Sequence, residues 1–142
     1  MKPITHILDT SALLAHFFDE PGAETVENLW AAGSDLPGIS AVTVAELRSV
    51  LHAEMTDDVE ADDAVDRYLN ELTICLPVDR AVAECAWQLK RSASRRVPLI
   101  DALIAATART HGATLVHRDP HLRALPPDLV EQVELPAAKA DR

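Results

Sequence analysis

Four acidic residues, Asp9, Glu46, Asp101 and Asp119, stand where the pattern predicts helices to begin. Asp9 closes the apolar, β-branched run Ile4–Leu8 and is followed by Thr10-Ser11-Ala12. Glu46 comes three residues after Thr43, Asp101 three after Pro98, and Asp119 directly before Pro120. Each has a local structural reading. Asp9 and Asp119 suit helix caps. Thr43 and Glu46 suit a reciprocal capping box. Asp101 in a first helical turn gains ~0.3–1 kcal/mol from the helix dipole. Together the four point to chemistry. Carboxylates gathered in one place repel, and each raises the pKa of the others. A hard divalent cation such as Mg²⁺ or Mn²⁺ prefers oxygen ligands and removes that penalty. The reaction favoured by such a centre is metal-assisted attack on a phosphate.

Short strands alternate with longer helices along the chain. Strands are predicted over 4–8, 36–41, 74–76, 114–117 and 130–135. Helices are predicted from Thr10, from Pro21 to a stop at Gly33, from Thr43, over 59–72, after Asp79, and over 99–111 before Gly112. A helical turn follows Asp119-Pro120. The alternation implies an α/β layered domain with a mostly parallel sheet. Ligands of such sheets bind outside the carboxyl ends of the strands, where an acid following a strand falls. Asp101 is the exception, because its helix follows another helix.

The 142 residues suit one domain, over 1–135, with 136–142 as a frayed tail. An apolar fraction of 48% excludes a disordered acidic chain. No apolar run approaches the ~18 residues of a membrane span. Ile7–Phe18 is broken by Asp9 and His16, so it does not read as a signal-peptide core. A cytoplasmic protein is the default. Cys75 and Cys85 suggest neither a disulfide framework nor a zinc site, and read as small buried apolar groups. Trp30, Tyr68 and Trp87 fall at apolar helical spacing and read as core or interface residues. A net charge of −10 argues against broad, nonspecific duplex binding. Lys90, Arg91, Arg95 and Arg96 offer the best local basic patch.

At the four acids the sequence resembles the PIN-domain ribonucleases, and among them the VapC-type toxins of type II toxin–antitoxin pairs. The resemblance is carried by four blocks: Leu8-Asp9-Thr10-Ser11-Ala12-Leu13, Val44-Ala45-Glu46-Leu47, Pro98 to Ala108, and Val116-His117-Arg118-Asp119-Pro120-His121-Leu122. The third block is the most specific, and the match spans residues 4 to about 125. It implies a three-layer α/β/α sandwich and a Mg²⁺- or Mn²⁺-dependent endoribonuclease. By the resemblance, Asp9, Glu46, Asp101 and Asp119 hold metal directly or through water. Ser11 matches a small hydroxyl position beside the first acid. His117 stands where the family often has Ser or Thr, as either a hydrogen-bonding substitute or a proton carrier. Leu122 stands where the family often has Phe. Arg95 and Arg96 precede the third block and are candidate RNA-phosphate contacts. A cognate antitoxin, lying in an apolar groove between helices 21–32 and 43–55, and a homodimer are family expectations.

Other classes fit less well. A haloacid-dehalogenase-like phosphatase needs a second Asp where Ser11 stands. A receiver domain needs an acidic pair at the first strand end and a late Lys, whereas Lys139 lies in the tail. Two alternatives stay open: a catalytically silent PIN-like RNA- or protein-binding module, and a housekeeping RNA-processing nuclease.

Overall fold

A computed structural model describes residues 3–32 and 35–138. In chain order the elements are β1 (His6–Leu8), α1 (Thr10–Phe17), α2 (Ala23–Ala31), β2 (Gly38–Ser40), α3 (Ala41–Glu54) and α4 (Asp58–Arg67). Then come β3 (Ile74–Leu76), α5 (Arg80–Ser92), α6 (Leu99–Thr110), β4 (Thr114–His117) and β5 (Gln132–Glu134). The five strands form one sheet of order β3-β2-β1-β4-β5, and every pairing is parallel.

Alternation along the strands sends side chains to opposite faces. Ile7 and Leu115 point into one core with Val82, Ala86 and Leu89 of α5 and Ile104 of α6. Leu8 and Val116 point into the other, with Leu13 of α1, Val26 of α2, Leu47 of α3 and Val65 of α4. The sheet is thus covered on both faces, giving the α/β/α sandwich. Both faces being buried explains why the strands read as nearly continuous apolar runs. Gly38 packs closely: a Cβ there would lie 2.9 Å from the terminal methyls Ile7 Cδ1 and Leu76 Cδ1, which would have to shift. Gly112, at φ +62°, ends α6 as expected.

Several expectations are corrected. α3 begins at Ala41, not Thr43, because Ser40 is extended and its hydroxyl accepts from the Val42 N–H at 3.3 Å. Thr43 is therefore a buried residue of the first turn, not a cap. The helix expected over 59–72 leaves α-geometry at Tyr68 and ends in a π-helical turn, Tyr68–Leu72. There the Thr73 hydroxyl donates to the Tyr68 carbonyl at 2.8 Å. Cys75 is exposed because β3 is an edge strand, and Cys85 is only half-buried. Trp87 is 55% exposed, one residue off the Val82–Ala86–Leu89 face, with the Arg91 guanidinium 4.9 Å from its ring. Tyr68 is core, and Trp30 donates its indole N–H to the Leu72 carbonyl at 2.8 Å. The predicted stop at Gly33 lies outside the described residues, as do residues 139–142 of the predicted tail. Among the described residues no helix is long and apolar enough to cross a membrane.

Candidate active site

The strand order fixes where a site can form. From β1 the chain moves to β2 on one side, and it later returns to β4 on the other. A crevice opens at such a reversal, at the carboxyl ends of β1 and β4. Asp9 follows β1 and Asp119 lies just beyond β4.

Asp9 is held by its own helix and by the neighbouring strand. Its carboxylate accepts from the Ala12 N–H at 2.9 Å and the Ser11 hydroxyl at 2.6 Å. Its backbone N–H donates to the Val116 carbonyl at 3.1 Å. The Ser11 hydroxyl in turn accepts from the Arg118 N–H at 2.8 Å, so one oxygen links the β4 end to Asp9. The Arg118 guanidinium pairs with Glu20 at 2.8 Å, with both side chains nearly buried. On the other side the Thr10 hydroxyl donates to Glu46 Oε1 at 2.6 Å and lies 3.4 Å from the Thr43 hydroxyl. Glu46 is thus positioned by α1, not by a capping box at its own helix start.

Asp119 caps the 3₁₀ turn Pro120–Ala124, accepting from the His121 N–H at 2.9 Å. The His121 ring approaches the same oxygen, with Nδ1 at 2.8 Å from Asp119 Oδ1. The Asp119 N–H donates to His117 Nδ1 at 3.1 Å. That leaves His117 Nε2 as the donor to Gln132 Oε1 at 2.7 Å. His117 is fully buried, and burial pushes its pKa down. With both ring nitrogens hydrogen-bonded inside the protein, the geometry favours the hydrogen-bonding reading of His117. Asp101 enters from α6. The connector 93–98 returns the chain to the carboxyl edge, where the Ser94 N–H donates to the Ala124 carbonyl at 2.9 Å. The Asp101 carboxyl faces that of Asp119, with donor atoms within 4.8 Å, and Asp101 Oδ2 lies 4.0 Å from His121 Nδ1.

The electrostatics show that all four acids share one locality. Burial raises the Asp9 pKa to about 7; its two hydrogen bonds oppose this, and the charges of Asp119 and Glu46 add to it. Burial also raises Asp101 to about 7, reinforced by Asp119, Asp9 and Glu46. Asp119 goes the other way. Burial opposes its charge, but the His121 N–H, the Asp101 carboxyl and the His121 ring hold it below the ordinary range. Asp101 and Asp119 therefore titrate as a pair, which holds a proton more readily than a lone Asp. Oxygen donors that cannot all stay ionised near neutrality fit a divalent cation. Asp101, Asp119 and His121 each offer a ligand atom within 4.8 Å of the others.

Arg95 and Arg96 are exposed on the connector leading to α6. Sequence reasoning did not single out His121, Thr10 or the Arg118–Glu20 pair. A His two residues after a capping Asp is an ordinary arrangement and gives no signal for His121. Thr10 and Glu20 act on partners far along the chain, and no spacing rule announces them.

The PIN domain family model matches residues 6–126. Ribonuclease VapC4 of Mycobacterium tuberculosis is 37% identical over 99 residues, spanning 63% of this chain and 71% of that protein. The chain belongs to the PIN-domain family. Within it, the similarity is to VapC ribonucleases, in line with the sequence-based expectation. The fold is shared with VapBC2 from Rickettsia felis bound to a promoter DNA fragment, with a TM-score of 0.73 and 17% identity over 92% of this chain and 100% of that one. It is also shared with VapBC-5 from Mycobacterium tuberculosis, of the VapBC family of toxin–antitoxin systems. There the TM-score is 0.63 and the identity 25%, over 93% of this chain and 99% of that one.

Proposed function

We propose that this chain is a divalent-metal-dependent endoribonuclease and the toxin of a toxin–antitoxin pair, with residues 1–135 acting as one nuclease domain. The observation that carries the reading is the convergence of Asp9, Glu46, Asp101 and Asp119 at the sheet reversal, with Asp9 and Asp101 both raised to about 7. The relative named a ribonuclease supports RNA as the substrate.

When bound, Mg²⁺ or Mn²⁺ supplies a water activated for attack on the scissile phosphate and positive charge for the leaving oxygen. The chain's own residues prepare for it. Asp9 and Asp101 release their protons to become ligands. Asp119, whose bonds to His121 hold its pKa down, gives up its proton more readily than either. The Ser11 hydroxyl fixes the orientation of Asp9, and the Thr10 hydroxyl fixes that of Glu46. The His117 ring holds the Asp119 backbone. Arg95 and Arg96 contact RNA phosphates on the approach to the carboxylates, offsetting the acidic surface there.

The antitoxin, a second copy of the chain as a homodimer partner, and a cytoplasmic location complete the proposal. For the antitoxin segment, the sequence reading placed the groove between helices 21–32 and 43–55. A cavity of about 300 Å³ is lined by His16, Phe17, Trp30, Tyr68 and Leu72, with Ala64 and Arg67 of α4. It lies between α1, α2, α4 and the π-helical turn.

RNA 5′-end mapping in cells, after induction of the wild type or Asp101→Asn, tests the activity and finds the substrate together. We expect discrete new ends with the wild type and none with the variant. Identical end profiles for both would overturn the nuclease reading.

A further inference from the structure

We propose that His121 donates an imidazole nitrogen to the ion held by the carboxylates, giving the centre mixed nitrogen and oxygen coordination. This rests on the metal-centre reading above. In an octahedron with bonds of about 2.0–2.1 Å, neighbouring donors lie about 3 Å apart and opposite donors about 4 Å apart. His121 Nδ1 is 2.8 Å from Asp119 Oδ1 and 4.0 Å from Asp101 Oδ2. Both separations are those of ligands around one ion, and donor atoms of all three residues fall within 4.8 Å.

The surroundings favour the same role. The His121 backbone is fixed by the Asp119 cap, and the next side chain, Leu122, is fully buried. The ring itself is 59% exposed and makes its hydrogen bond to Asp119 alone among the described residues. It can therefore swing the short distance from hydrogen-bonding Asp119 to sharing a metal with it, without disturbing the core. A carboxylate-only site suits Mg²⁺, whereas an imidazole moves preference toward later first-row ions. If the ring only hydrogen-bonded Asp119, it would affect all divalent ions alike.

The test uses the full chain loaded with Mn²⁺ and measured by pulsed electron paramagnetic resonance, beside Co²⁺ and Mg²⁺ titrations followed by calorimetry. We expect ¹⁴N coupling to Mn²⁺ in the wild type and its loss in His121→Ala. We also expect about a tenfold or greater loss of Co²⁺ affinity in that variant, the scale set by removing groups that support metal ligands. Mg²⁺ affinity should change far less, and His121→Asp should shift preference back toward Mg²⁺. Mn²⁺ binding to the wild type without ¹⁴N coupling, or equal losses for Co²⁺ and Mg²⁺, would overturn the role of His121 and leave the carboxylate centre standing. No Mn²⁺ binding by the wild type would overturn the centre itself.

Discussion

Asp9 and Asp101 both have a pKa near 7, but they get there differently. Asp9 is 4% exposed and sits inside a web of donors: the Ala12 N–H, the Ser11 hydroxyl and, through Ser11, the Arg118 N–H. Burial raises its pKa in spite of those bonds. Asp101 is more open, its side chain 18% exposed, and it faces another carboxyl, that of Asp119. The first side of the crevice is organised by the chain alone. The second has two facing acids beside an exposed ring, and an added positive charge offsets their repulsion. The contrast predicts rigidity on the Asp9 side and a metal-dependent rearrangement on the Asp101 side.

The largest expected effect comes from removing charge on either side. Asp9→Asn and Asp101→Asn should each lower RNA cleavage by on the order of 10²–10³-fold or more in single-turnover assays, the scale of removing one electrostatic contact to a developing charge. A variant that cleaves at the wild-type rate would place that acid outside the site. The next effect sharpens the contrast. Ser11→Ala leaves the Arg118 N–H without its acceptor and takes a donor from Asp9, which should cost about 1–3 kcal/mol in denaturant unfolding. Thr10→Val releases Glu46 and should cost about 1 kcal/mol. It should also raise the metal concentration needed for half-maximal cleavage. The smallest effect is of opposite sign. Asp101→Asn should raise the melting temperature of the metal-free chain near neutral pH by roughly 3–5 °C, the shift that about 1 kcal/mol produces in a domain this size. A lower melting temperature would show that Asp101 stabilises the metal-free fold, against the present reading.

Much of the fold was legible because its signals are local. Pro98 before α6 and Gly112 after it, Asp79 capping α5 through the Val82 N–H at 3.0 Å, and the runs 74–76 and 114–117 all mark elements where they occur. The start of α3 was misplaced because Ser40 ends a strand and caps a helix at once, and Thr43–Glu46 imitates a box. The exposure of Cys75 and Trp87 depends on sheet order and helix rotation, which composition does not carry. For the site, the four acids stood out by type and position. The approach of Asp101 to Asp119 depends on the connector at 93–98 and was not derivable from spacing. His121 was hidden for a different reason: a His two residues past a cap is ordinary until the facing carboxylate is known.

The central claim is that the carboxylates converge on a divalent ion, and thermal unfolding across pH with and without Mg²⁺ tests it most directly. In the folded chain Asp9 and Asp101 hold protons up to about pH 7, while unfolded Asp releases them near 3.8. Between those limits the folded state binds more protons than the unfolded state. The contribution of these groups to metal-free stability is therefore full below about pH 4 and lost as pH rises through about 7. We expect the metal-free melting temperature to fall over that upper range and millimolar Mg²⁺ to restore it. The Mg²⁺ effect should vanish in mild acid, where protons compete for the ligands, and in Asp101→Asn. A wild-type melting temperature unmoved by Mg²⁺ or Mn²⁺ above neutral pH would contradict the metal centre.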